Sequence, residues 1–461
     1  MTPMPGDTEA GPLLITSPPP TPNGPLHVGH LSGPYLAADV AARAARARGE
    51  RVLVLSGLDV HQNYVVTKAE ALRRETGGTL GRFGELIRTG FALARIDYDV
   101  FLDPWRDADY RRAVADLLAD LVAAKAAVVE ETDLLVCANC GRTLHHGYVA
   151  GGCPRCGDRC GGGTCERCGS FTTAATLVDP RCACCGGPPA PIRVPVPVLR
   201  LEEYRDRLVE VWARAELGPR VRALVSGYLA AGLPEVPLAY PTDWGIQAGP
   251  VAPDGQRVDV WAEMGLGYLY AVAREIDAGV RTMDDCLAAW GRVAGIWHFL
   301  GIDNAFYYAV LIPALFAAAR MPPGLLRGLE VNEFYRLDGQ KFSTSRNHAV
   351  WAHEFLAGED PGLVRLYLCW DRPQPYESDF TVAGYREFRE RYGGLRDGAA
   401  PPTGTLADQD ALRAEHALRL PGFDAALAAR CLLPAGHGSD RGRMLLQALL
   451  GTGPEPALTQ W

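Results

Sequence analysis

The chain holds 461 residues, 48% hydrophobic and 22% charged, which suits a globular protein of roughly two to four domains. Its net charge of −8 counts against a surface given over to nucleic acid, although local basic patches survive inside acidic proteins. No apolar run reaches the length of a membrane span, and residues 1–11 carry neither the basic segment nor the apolar core of a secretion signal, so a cytoplasmic protein with no membrane partner is expected.

The first predicted element is a short apolar strand at Leu13, Leu14 and Ile15. The loop after it, Pro18 to Pro25 with Thr21, Asn23 and Gly24, is too rich in Pro and Gly to be regular, and a helix then opens on His27, Val28, Gly29 and His30. A helix N-terminus presents unpaired N–H groups and a partial positive charge, Gly29 admits a flat ring close to the backbone, and two imidazoles can donate to phosphate oxygens. That set suits ATP. A second strand-like run, Val52 to Leu55, is followed by Ala- and Arg-rich helical segments, so residues 1–125 read as the first half of a parallel α/β domain.

Ten of the thirteen cysteines lie between residues 137 and 185, mostly as the pairs Cys137/Cys140, Cys153/Cys156, Cys165/Cys168 and Cys182/Cys185, each pair followed by Gly. Thiolates at this spacing form zinc knuckles, and without a secretion signal metal is favoured over disulfides. Four pairs close about two tetrahedral zinc sites and leave Cys160 and Cys184 over; four thiolates leave no open position, so the sites would be structural. This insertion and its flanks are expected over 126–235. The second half of the α/β domain is expected over 236–350, with a long apolar segment from Trp297 to Ala319, and a short helical region over 351–461 after a Gly/Pro-rich linker from Gly394 to Thr405.

The run His27-Val28-Gly29-His30 resembles the His-Ile-Gly-His signature of the class I aminoacyl-tRNA synthetases. Late in the chain, Lys341-Phe342-Ser343-Thr344-Ser345 resembles that family's Lys-Met-Ser-Lys-Ser loop, in the Lys-Phe-Ser form common among methionyl-tRNA synthetases. Lys68, Lys125 and Lys341 are the chain's only lysines, so a lysine in that loop is not background. The resemblance covers roughly residues 12–390. It implies a Rossmann-like parallel sheet split by the zinc-knuckle insertion, and activation of an amino acid by ATP with Mg2+. It further implies that His27, His30 and Lys341 act on the phosphates, that Asn23, Gly29, Gly301, Asp303 and Ser343 hold the nucleotide, and that Asp59 binds the α-ammonium group. By the same resemblance Cys153, Cys156, Cys165 and Cys168 share the inner zinc, and Cys137, Cys140, Cys182 and Cys185 the outer one.

Trp261, Met264, Gly265 and Tyr268 share one helix face, a pattern that is usually core. The resemblance puts Trp261, Gly265 and Tyr268 around the amino-acid side chain, together with Pro19, Thr21, Tyr307 and Tyr308. Pro19, Thr21, Gly265 and the Tyr307/Tyr308 pair depart from the methionine enzymes. Added hydroxyls need partners that a thioether supplies poorly, so an amino acid other than methionine is expected. Thr344 stands where the loop's second lysine would be, which is expected to slow activation by about 10²–10³. From Val350 onward 15 acidic residues face 11 basic ones, and this region is not expected to read an anticodon. The expected activity is therefore AMP-forming ligation of an amino acid to a small amine, hydroxylamine or alcohol in specialised metabolism, with a partner enzyme using the product. Two alternatives stand beside it: a trimmed but genuine methionyl-tRNA ligase, and a degenerate synthetase that binds RNA or protein through its knuckles. Intact His27, Gly29, His30, Asp59, Asp303 and Lys341 count against the last.

Overall fold

The computed structural model describes residues 11–253, 255–342, 348–394, 405–434 and 438–452. Its centre is a six-stranded sheet of β1 (Leu13–Thr16), β2 (Val52–Gly57), β3 (Val100–Leu102), β4 (Glu216–Leu217), β5 (Gly295–Gly301) and β6 (Leu326–Asn332), in the order β4-β6-β5-β1-β2-β3. Every neighbouring pair is parallel. The strands are apolar on both sides because both faces are covered: Leu14, Leu53, Leu55, Ile296 and Leu300 enter one core, and Ile15, Val52, Val54, Trp297 and Phe299 the other. This alternation is the period-2 geometry of a strand applied to a sheet with two buried faces.

From β1 the chain builds outward through β2 and β3, and the later strands are laid on the opposite side of β1. The strand order therefore reverses between β1 and β5, and in such sheets the crevice outside the carboxyl ends at that point receives ligands. The loops that follow β1, β5 and β6 all open there.

The segment between β3 and β5 is built on a long antiparallel hairpin, Val128–Cys137 against Pro189–Arg200, in register from Val128↔Val198 to Cys137↔Pro189. Its far end carries the cysteine pairs. One boundary differs from expectation: Glu216–Leu217 lies inside the 126–235 range assigned to the insertion, yet it pairs with Gly328 and Leu329 as the edge strand of the central sheet. A two-residue edge strand has too short a pattern to be seen in the sequence. The apolar run Trp297 to Ala319 is divided among β5, a 3-10 turn Ile302–Asn304, a π turn Tyr307–Leu311 and the helix Ile312–Ala318. No helix among the described residues is long and apolar enough to cross a membrane.

After residue 350 come the helices Ala352–Gly358, Pro361–Trp370, Val382–Tyr392, Thr405–Ala417, Ala425–Leu432 and Asp440–Leu450. They join the core that holds β1 and the helix Leu36–Ala47: Leu366, Leu368, Leu432, Leu445 and Leu449 are buried there. Arg365, almost fully buried, ties three parts of the chain together by donating to Asp39 (2.6 Å) and to the carbonyls of Ala94 (2.8 Å) and Leu449 (3.0 Å). Most of the linker expected from Gly394 to Thr405 lies outside the described residues.

Candidate active site

A cleft of about 770 Å3 lies at the switch point, lined by Asn23, His27, Gly29, His30, Gly301, Asp303 and Lys341 among others. Its size falls within the range of small-molecule sites. His27 caps the short helix Val28–His30 through a reciprocal box: its Nδ1 accepts from the His30 N–H (3.2 Å), and its own N–H donates to Nδ1 of His30 (3.1 Å). The two rings stack at 3.5 Å, and Phe342 stacks on the far side of His27 at 4.5 Å. Burial pushes the His30 pKa down to about 4, and burial with the neighbouring His30 holds His27 well below its ordinary value. Both imidazoles are thus neutral near pH 7. With both Nδ1 atoms accepting backbone N–H groups, each carries its proton on Nε2, free to donate to an anion. Gly29 matters for a concrete reason: a Cβ there would lie 3.0 Å from the Phe342 ring and from Nδ1 of His27.

Across the cleft, Gly301 ends β5, and a Cβ on it would meet Oδ1 of Asp303 at 2.5 Å, so glycine lets that carboxylate fold back over the strand end. Burial first, and then the Glu166 carboxylate, push the Asp303 pKa up to about 6. Lys341 bonds Glu166 and lies 4.5 Å over the Phe334 ring. Ser343 and Thr344 lie outside the described residues.

The residues assigned to the amino acid form a separate wall behind this cleft. Asp59, at the end of β2, accepts from Thr21 Oγ1 (3.0 Å), and burial pushes its pKa up to about 7 against that hydrogen bond. His61 beside it bonds Glu263 at 2.8 Å. Trp261 stacks on Tyr307 at 3.5 Å and 9°. Tyr308 donates to the Met264 thioether (3.3 Å) and pairs with Tyr268 at 2.8 Å between hydroxyls, while Thr16 meets Nδ1 of His298 at 2.6 Å. The added Tyr308 hydroxyl is therefore satisfied by Tyr268 and Met264, so its presence does not by itself exclude a thioether substrate. Pro19 is buried in the loop after β1. Gly265 is a packing position: a Cβ there would come within 2.7 Å of Leu315 on the helix Ile312–Ala318.

The cysteines gather into two groups, Cys137, Cys140, Cys182 and Cys185, and Cys153, Cys156, Cys165 and Cys168, with all sulfurs in each group within 4.8 Å of one another. Sγ separations of 3.4 and 3.8 Å in the first group and 3.6 and 3.8 Å in the second match the edge of about 3.8 Å that a tetrahedron with 2.3 Å Zn–S bonds requires. All thirteen cysteines are free thiols. Gly141, Gly157, Gly169 and Gly186, one after each pair, have φ of 74°, 75°, 70° and 72°, the left-handed turn that lets their N–H groups bond the carbonyl four residues back. Both groups fit zinc as closed structural sites.

Among known proteins, the family described as tRNA synthetases class I (M) matches residues 13–391. The chain belongs to that family. A methionine–tRNA ligase of Pyrococcus furiosus is 31% identical over 390 residues, covering 81% of this chain and 53% of that protein. The Thermomicrobium roseum enzyme of the same name is 32% identical over 372 residues, covering 79% and 63%. The chain thus spans about half to three-fifths of these curated relatives. Among solved structures, Mycobacterium tuberculosis methionyl-tRNA synthetase in complex with methionyl-adenylate shares the fold, with a TM-score of 0.69 at 19% identity over 95% of this chain and 89% of that one.

Within this synthetase fold several cleft residues carry no sequence signal of their own. Asn332, at the end of β6, lines the cleft with a buried Oδ1 that lacks a partner, while its Nδ2 donates to the Glu333 carbonyl (2.9 Å). Glu166 sits between Cys165 and Cys168, and Thr164 in the same loop donates to the Asp303 carbonyl at 2.7 Å. Arg372 donates to the Ser32 carbonyl (2.8 Å), bracing the π turn Leu31–Tyr35 from the C-terminal side. The Cys-x-x-Cys spacing was the one clue for Glu166, and nothing in the sequence marked Asn332.

Proposed function

We propose that this protein activates an amino acid with ATP, forming an enzyme-bound aminoacyl-adenylate and releasing pyrophosphate. In this step a carboxylate oxygen attacks the α-phosphorus, the bond from that phosphorus to the bridging oxygen of the β-phosphate breaks, and pyrophosphate leaves; Mg2+ bound with ATP would supply charge neutralisation. Nε2–H of His27 and of His30 donate to phosphate oxygens, Lys341 releases Glu166 to meet the departing charge, and Asp59 pairs with the α-ammonium. Positioning and electrostatic stabilisation carry the rate, with no proton transfer required. Zinc would be held by the two four-cysteine groups and would supply structure to the insertion. The reading is carried by the convergence of His27, His30, Asp303 and Lys341 on one cleft at the switch point. Amino-acid-dependent exchange between pyrophosphate and ATP tests it: exchange is expected with at least one member of an amino-acid panel and is lost in the His27→Ala/His30→Ala double variant. Undiminished exchange in that variant overturns the assignment.

For the acyl acceptor, the names of the relatives support transfer to tRNA as a methionyl-type ligase. Transfer to a small amine, hydroxylamine or alcohol is the second reading, favoured by the excess of acidic over basic residues after position 350, 15 against 11, which suits a polyanion poorly. Charging of total tRNA with methionine, run beside a small-acceptor screen, separates the two.

A further inference from the structure

A second chamber, of about 170 Å3, lies between the insertion hairpin and the synthetase core, away from the nucleotide cleft. Its walls are largely apolar, with Leu134, Leu144, Phe171, Val198, Val236 and Leu311 among them. It reaches solvent past Asp133 and Glu235, whose side chains are 88% and 67% exposed. These carboxylates lie 3.9 Å from Arg193 and 3.8 Å from Arg200, so the mouth carries no strong net preference for cations.

Two adjacent imidazoles line this space. His146 is committed: Nε2 bonds Asp259 at 2.5 Å, and the buried carboxylate outweighs desolvation to raise its pKa. His145 is only 8% exposed and stacks on Tyr240 at 4.6 Å and 12°. Its Nδ1 lies 3.0 Å from the Thr143 carbonyl, which can only accept, so the proton is on Nδ1. Burial, and then the charge on His146, push its pKa down to about 3 and keep the ring neutral. Nε2 of His145 is therefore a bare acceptor with no hydrogen-bond partner among the described residues. That nitrogen is reachable from the chamber, so a ligand N–H or O–H can take the place of solvent on it.

We propose that this chamber binds a small, largely apolar molecule bearing one N–H or O–H donor, with the donor on Nε2 of His145. The class is a small alcohol, phenol or neutral amine. A cavity of about 150 Å3 accepts benzene, which sets the upper size at roughly a six-membered ring with one polar substituent. The inner wall is Tyr307, itself assigned to the amino acid and stacked on Trp261, so the chamber shares that ring with the amino-acid residues. The proposal goes beyond adenylation and does not require it.

Phenol and benzene are a matched pair for the test, titrated into the full-length protein by calorimetry, with the 15N resonance of the His145 Nε2 followed in parallel. Phenol is expected to bind about five- to tenfold more tightly than benzene, the worth of one neutral hydrogen bond, and to shift that resonance. His145→Phe keeps a flat ring against Tyr240 and is expected to reduce phenol to the affinity of benzene, with pyrophosphate exchange unchanged. His145→Gln, which restores an acceptor, recovers part of the difference. Equal affinity for phenol and benzene in the unaltered protein, or binding of neither, overturns the proposal whatever the exchange assay gives. An absence of exchange with unaltered phenol binding overturns the adenylation reading alone.

Discussion

Asp59 is a buried carboxylate that a bound α-ammonium would keep ionised. Its pKa of about 7 in the empty site lies above the ordinary carboxylate range, so the unliganded fold takes up a proton there. The stability this group contributes is fully present at low pH and is lost as pH rises through about 7. An α-ammonium reverses the preference by favouring the charged form. The KM for the amino acid in pyrophosphate exchange is therefore expected to fall by about tenfold between pH 6 and pH 8 as Asp59 ionises, and Asp59→Asn should raise KM and flatten that slope. A slope retained in Asp59→Asn would assign it to another group. The histidine pair behaves differently: with the His30 pKa near 4, its neutral state holds across this range and adds no slope. The residues themselves were legible from the His-x-Gly-His pattern. Their protonation was not, because it depends on burial, to which distant residues such as Phe342, stacked on His27 from more than 300 positions away, contribute, and no local pattern encodes a contact of that range.

Among the elements, the two knuckles differ in what they touch. The outer group, Cys137, Cys140, Cys182 and Cys185, closes the end of the hairpin, whereas the inner loop brings Thr164 to Asp303 and Glu166 to Lys341. Elemental analysis is expected to find about two zinc ions per chain, and about one in either Cys140→Ser or Cys156→Ser. Only Cys156→Ser should also raise the KM for ATP, by several-fold, because only that loop borders the nucleotide cleft; equal effects of the two variants would refute this division. The knuckles were the most legible elements in the sequence, since spacing and the following glycines carry their geometry locally. β4 was hidden for the opposite reason, as its two residues are a strand only by virtue of pairing with β6.

For the molecule as a whole, the C-terminal helices are part of the catalytic core's packing, with Arg365 as their buried node. Truncating it leaves Asp39 to Arg43 alone (2.9 Å) and takes the donor from the buried Ala94 and Leu449 carbonyls, so Arg365→Ala is expected to cost about 3 kcal/mol in unfolding. Arg365→Ala/Asp39→Ala should cost less than the sum of the two single changes, measured by denaturant titration. Strict additivity would mean that the pair is not coupled.

The position of β1 has a consequence for how the chain is made. Of the strands in the central sheet, the one made first, β1, is an inner strand, and its partner β5 follows only after a separation of 282 residues, the distance from Thr16 to His298. At synthesis rates of about 5–20 residues per second that is a wait of roughly 15–60 s, during which one edge of β1 is open. The insertion, whose hairpin and cysteine pairs lie wholly between residues 128 and 200, can fold and load metal within that interval. Nascent chains arrested before residue 295 should therefore already protect the knuckles from thiol alkylation while the strand Leu13–Thr16 remains open to proteolysis.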